Sequence, residues 1–61
     1  MPLIQVDMFE GRTVDQKRAL VAELTDGFVR ACGGTPEQVT IVITDKSKED
    51  WGSKGILAVD R

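Results

Sequence analysis

Val39-Thr40-Ile41-Val42-Ile43-Thr44 is the run on which the fold turns. Every one of these residues is β-branched, which favours a strand. A period of two sets Val39, Ile41 and Ile43 on one face and Thr40, Val42 and Thr44 on the other. A second strand pattern stands upstream at residues 3–9, with Ile4, Val6 and Met8 on one face and Leu3, Gln5, Asp7 and Phe9 on the other. Pro2 suits the head of that strand, where a missing N–H costs little. Between the strands, Glu10-Gly11-Arg12 breaks the alternation and Thr13-Val14-Asp15-Gln16 reads as a capping box. A helix is predicted from Val14 to Ala31, with Leu20, Leu24, Phe28 and Ala31 in one stripe widened by Val21, Thr25 and Cys32. Lys17, Arg18, Glu23, Asp26 and Arg30 are expected towards solvent. Gly33-Gly34 ends the helix with residues that tolerate a left-handed backbone, and Thr35-Pro36-Glu37-Gln38 repeats the capping-box spacing in a turn.

Strand, helix, strand in this order predicts a right-handed crossover joining two parallel strands, an α/β unit. Beyond it lie a polar stretch, Asp45 to Asp50, then Trp51, a turn at Gly52-Ser53-Lys54-Gly55, and a short final strand or hairpin from Ile56 to Val59. Residues 1–61 read as a single domain. One helix covers one face of such a sheet, whereas parallel sheets are covered on both. Nothing in the chain supplies the second layer, so a homo-oligomer is expected.

Composition points the same way. A chain of 61 residues buries only about 60% of its unfolded surface and is marginal alone. Disulfides, a metal or oligomerisation are the usual remedies. A single cysteine, Cys32, excludes an intrachain disulfide, and the absence of histidine argues against zinc. Cys32 itself reads as a small core residue. A net charge of −2 offers no basic footprint for nucleic acid. No apolar run reaches the roughly 20 residues of a membrane span, and no secretory signal pattern opens the chain. A cytoplasmic protein that binds neither nucleic acid nor membrane is expected, without cofactor or metal.

Met1-Pro2 carries the chemistry. Proline is among the second residues that permit removal of an initiator methionine, and removal would leave Pro2 with a free secondary amine. An amine cannot act as a base while acylated; freed, it can. Pro2, Glu10-Gly11-Arg12, Gln16-Lys17, Ile41 to Thr44 and Trp51-Gly52, at these spacings over nearly the whole chain, resemble the 4-oxalocrotonate tautomerase family, the short members of the tautomerase superfamily. The resemblance implies the tautomerase (MIF-like) fold and a hexamer built as a trimer of dimers. It implies keto–enol isomerisation of an unsaturated 2-hydroxy or 2-oxo acid, 2-hydroxymuconate-like or a monocarboxylate analogue, in a setting of aromatic compound degradation.

By that resemblance Pro2 is the general base. Arg12, contributed by a neighbouring subunit, both grips the substrate carboxylate through paired hydrogen bonds and serves the reaction. Trp51 stands where relatives carry an aromatic, and an apolar wall there keeps the amine neutral. Thr40 occupies the position of a second arginine. A hydroxyl gives the substrate one neutral hydrogen bond, and losing a charged donor at such a position costs roughly 2.7–4 kcal/mol by analogy with oxyanion holes. Monocarboxylate enols are therefore expected to be handled better than dicarboxylates, with Lys46, Lys48 and Lys54 as candidates to compensate.

Two alternatives stand beside this reading. A hydratase or dehalogenase of unsaturated acids would use a cationic Pro2 and a water-activating carboxylate, for which Asp7, Glu10 and Asp50 are the candidates. A non-catalytic oligomerisation subunit would result if Met1 were retained.

Overall fold

Two parallel strands, β1 (Leu3–Phe9) and β2 (Thr40–Lys46), form the centre of the computed structural model, which describes all residues 1–61. Helix α1 (Val14–Cys32) connects them, and a short antiparallel hairpin, β3 (Gly52–Ser53) and β4 (Ile56–Leu57), follows. Single 3-10 turns lie at Pro36–Gln38, Lys48–Asp50 and Ala58–Asp60. The register runs from Leu3 opposite Thr40 to Phe9 opposite Lys46. One further hydrogen bond extends the ladder at each end, Thr40 N to Pro2 O and Glu10 N to Lys46 O, both 3.0 Å.

The helix begins where the sequence predicts. Thr13 is extended, its Oγ1 accepts from Gln16 N at 3.1 Å, and Thr13 N donates to Gln16 Oε1 at 2.9 Å. Asp15 in the first turn and Arg30 in the last complement the helix dipole. The helix closes at Gly33, with φ 85° and its N–H on Val29 O at 2.9 Å. A second capping box spans Thr35 to Gln38 at the Pro36–Gln38 turn, where Thr35 N donates to Gln38 Oε1 at 3.2 Å and Gln38 N also bonds the Thr35 carbonyl at 3.1 Å.

The helix lies over the face carrying Ile4, Val6, Met8, Ile41 and Ile43, all half-buried. Its own covered residues include Leu20, Leu24, Thr25 and Phe28, as the stripe predicts. Lys17 departs from expectation. It is half-buried, and its Nζ reaches Asp45 Oδ2 at 2.7 Å, pinning the start of the helix to the end of β2. Val21, Ala31 and Cys32 are exposed instead of packed. Val21, in mid-helix, is 37% exposed; for Ala31 and Cys32 the reason is length, since nineteen helical residues span about 28 Å at 1.5 Å each and the seven-residue strands about 23 Å. The C-terminal end of α1 has no sheet beneath it.

Strand β2 also starts one residue later and ends two later than the β-branched run. Val39 closes the preceding 3-10 turn, and pairing with Met8 and Phe9 carries Asp45 and Lys46 into the strand. In the hairpin, Gly52 and Ser53 are strand residues and the turn is Lys54-Gly55 alone. Both have positive φ, 56° and 78°, as a type I′ connection requires. The final strand stops at Leu57, and the chain turns back so that Ala58 N meets Trp51 O at 2.7 Å.

The opposite face of the sheet is bare. Leu3, Gln5, Asp7, Thr40, Val42 and Thr44 are all exposed on it, and in the whole chain only Ala58 is buried. The accessible surface is 4688 Å², against about 3,900 Å² for a compact monomer of this mass. The radius of gyration is 14.4 Å, where a folded chain of this length has about 10.5 Å. The hairpin extends the molecule to 42 Å and displays Ile56, Leu57 and Val59. No helix is long and apolar enough to cross a membrane.

Candidate active site

Pro2 sits just before β1, half-buried, with its carbonyl held by the N–H of Thr40. Met1 beyond it is 97% exposed. Thr40 opens β2 opposite Leu3, with its side chain on the bare face. Pro2 and Thr40 are thus neighbours at the head of the sheet.

Arg12 belongs to the other end. Gly11, at φ 117°, turns the chain out of β1 in a conformation open to glycine and costly for other residues. Arg12 is exposed, its Nη1 3.5 Å from Phe9 O. It has no ion pair: Glu10 is unpaired, and Asp15 pairs with Arg18 at 2.6 Å. The guanidinium is free for an anion. Trp51 lies at this end too, half-buried, its ring 4.9 Å from that of Phe9 and tilted by 53°. Aromatic pairs favour such tilted packing.

Within one chain the four residues fall into two groups. Pro2 and Thr40 stand at one end of β1, Arg12 and Trp51 at the other, about 23 Å apart over seven strand residues. A single chain encloses no pocket, and no three of its Cys, Asp or Glu side chains converge as metal ligands would. Of the carboxylates singled out from sequence, Asp7 is exposed midway along the bare face, and Glu10 and Asp50 are exposed towards the Arg12 end.

Of two further residues at that end, the sequence reading gives one no place in the site and the other a place elsewhere. Phe9 reads there only as an outward strand position, yet its ring forms the partner surface for Trp51. Lys46 reads as part of a polar stretch and as a candidate to compensate for Thr40, yet it stands at the opposite end of β2 from Thr40. It is the last residue of β2, opposite Phe9 and half-buried. The available signal was period: continuing the alternation of β2 by two residues puts Lys46 on the face of Phe9.

Residues 2–61 match the family model described as tautomerase enzyme. The chain is 40% identical over 58 residues to a 2-hydroxymuconate tautomerase of Comamonas testosteroni, covering 95% of this chain and 92% of that one. It superposes on a structure of the 4-oxalocrotonate tautomerase isozymes from Methylibium petroleiphilum with a TM-score of 0.89, at 40% identity over 95% of this chain and 94% of that one. A structure from a mechanistic analysis of trans-3-chloroacrylic acid dehalogenase activity gives a TM-score of 0.84, at 38% identity over 92% and 97%. A parallel β-α-β unit with a C-terminal hairpin, matched along almost its entire length in sequence and in structure, belongs to the tautomerase family, and this chain is one of its isomerases.

Proposed function

We propose that the chain catalyses keto–enol tautomerisation of an unsaturated 2-hydroxy or 2-oxo acid, with the amine of Pro2 as the general base. The observation that carries this reading is the setting of Pro2. Its carbonyl is anchored by Thr40, so the chain end is held while the Met1–Pro2 bond, beside a 97% exposed Met1, is open to an aminopeptidase. The neutral amine takes the proton of the 2-hydroxyl. The O–H electron pair becomes the carbonyl π bond, the conjugated double bonds shift, and the remote carbon takes the proton back from the prolinium. No net charge or electron is exchanged with a cofactor.

Arg12 holds the substrate carboxylate, Thr40 donates a hydrogen bond near the 2-oxygen, and Trp51 excludes water so that the ammonium form of Pro2 is disfavoured. Because Pro2 and Arg12 lie at opposite ends of one sheet, a substrate of a few carbons reaches both only where two copies meet head to tail. The site is therefore shared between subunits of a homo-oligomer, a hexamer arranged as a trimer of dimers, acting in the cytoplasm on a small unsaturated acid from aromatic degradation. The substrate class follows the 2-hydroxymuconate tautomerase that this chain resembles.

Pro2→Ala, assayed on 2-hydroxymuconate with intact mass confirming loss of Met1, should lower kcat by 10²-fold or more, within the range of general base catalysis. Undiminished activity in Pro2→Ala, or in a chain shown to keep Met1, overturns the assignment. The likeness to a structure studied for trans-3-chloroacrylic acid dehalogenase activity favours a second reading, in which a protonated Pro2 acts as acid. The pH–rate profile separates them: a base loses activity as pH falls through the proline pKa, an acid as pH rises through it.

A further inference from the structure

Two of the eight lysines and arginines are half-buried, Lys17 and Lys46. Lys17 is neutralised by Asp45 at 2.7 Å. Lys46 has no carboxylate within 4 Å and no hydrogen-bond acceptor. Strand alternation is the cause: Asp45 faces the helix and is taken by Lys17, while the next residue faces the other way. Thr40, Val42 and Thr44 are exposed on that face and Lys46 alone in β2 is partly covered there.

Its surroundings name a ligand. Lys46 is the register partner of Phe9, so the two backbones are about 4.8 Å apart. The Phe9 ring meets Trp51 at 4.9 Å, and the Phe9 carbonyl lies 3.5 Å from Arg12 Nη1. A lysine in this position lays its methylene stem along apolar surface and keeps its ammonium at the rim. Two cations without carboxylate partners thus flank one aromatic pair. They repel each other, and a carboxylate placed between them is attracted to both.

The geometry points to Lys46 as a second carboxylate-binding cation, acting with Arg12 on the substrate end remote from Pro2. This rests on the tautomerase site proposed above and sharpens its substrate class. Charge recognition is concentrated at the aromatic end, on one carboxylate, while the Pro2 end with Thr40 is neutral. The preferred 2-hydroxy or 2-oxo acid is gripped through a single carboxylate, and its unsaturated chain crosses Phe9 and Trp51.

Trp51 is the only tryptophan, so its fluorescence reports ligand at this end without any turnover. Adipate and its uncharged diamide are titrated against the assembled enzyme and against Lys46→Met, Lys46→Gln and Lys46→Arg, with sedimentation confirming unchanged assembly. Adipate affinity should fall 5- to 20-fold in Lys46→Met and Lys46→Gln and return in Lys46→Arg, with adipamide unmoved. On a carboxylate substrate the same variants should raise KM with kcat within twofold. Adipate affinity within twofold of the parent in Lys46→Met, or an equal loss for adipamide, overturns the proposal. Because binding does not depend on Pro2, an active Pro2→Ala enzyme would refute the base and leave this titration to decide Lys46 separately.

Discussion

Thr40 and Arg12 show how much one side chain decides at each end of the sheet. Thr40 is exposed beside Pro2 and offers one neutral donor where a guanidinium would offer charge. Thr40→Arg is expected to raise kcat/KM for a dicarboxylate enol relative to a monocarboxylate enol, measured by competing the two substrates. Equal changes on both would refute the link between Thr40 and substrate charge. Arg12 has no carboxylate partner of its own, so its removal relieves no ion pair within the chain. Arg12→Gln should lower kcat/KM roughly 10- to 100-fold, chiefly through KM, as loss of a charged hydrogen bond does. The same residues mark what was readable in the chain. Pro2, Arg12, Thr40 and Trp51 are candidates through their match to the motif positions of the family the chain resembles. The surroundings of Lys46 are not legible in the same way, because a lysine in a polar run looks the same whether it faces the helix, the solvent or an aromatic pair.

At the level of elements, local chemistry was legible and ends were less so. The Thr13–Gln16 box forms with both of its hydrogen bonds, and Thr13→Ala should cost about 1 kcal/mol in chemical denaturation. The hairpin turn is two residues shorter than the sequence suggests, because Gly52 and Ser53 have turn-like identities but pair with Leu57 and Ile56. Its central residue Lys54 holds φ 56°, a conformation that asparagine and glycine adopt with less strain. Lys54→Asn should raise Tm by a few degrees or less, with unchanged kcat, in thermal melts at fixed protein concentration. Lys17 and Cys32 depart from the helical pattern for one shared reason. Helical periodicity assigns faces relative to the helix axis, whereas burial depends on where the sheet beneath it starts and stops.

The whole molecule is an open piece of a larger core. One buried residue among 61 and a surface of 4688 Å² are incompatible with an independently stable monomer of this size. The bare sheet face with Leu3 and Val42 and the projecting arm with Ile56 and Leu57 are the surfaces that assembly must cover. Folding and association are then one equilibrium, and stability depends on protomer concentration. Tm should rise with concentration over a hundredfold range. Leu57→Asp should shift sedimentation towards monomer and lose helical circular dichroism and activity together. A helical, active monomer would refute the coupling.

The chain by itself determined the elements and their order: a capped amphipathic helix between two alternating strands, followed by a turn-rich arm, with Pro2 at its head. Those follow from interactions over a few residues, through capping, periodicity and β-branching. Tertiary structure alone decided that Thr40 lies beside Pro2 at one end of the sheet and Trp51 beside Phe9 at the other. It alone turned Lys46 towards Phe9 and left one face bare. Register and coverage are set by contacts between residues far apart in the chain, and local preference is blind to those.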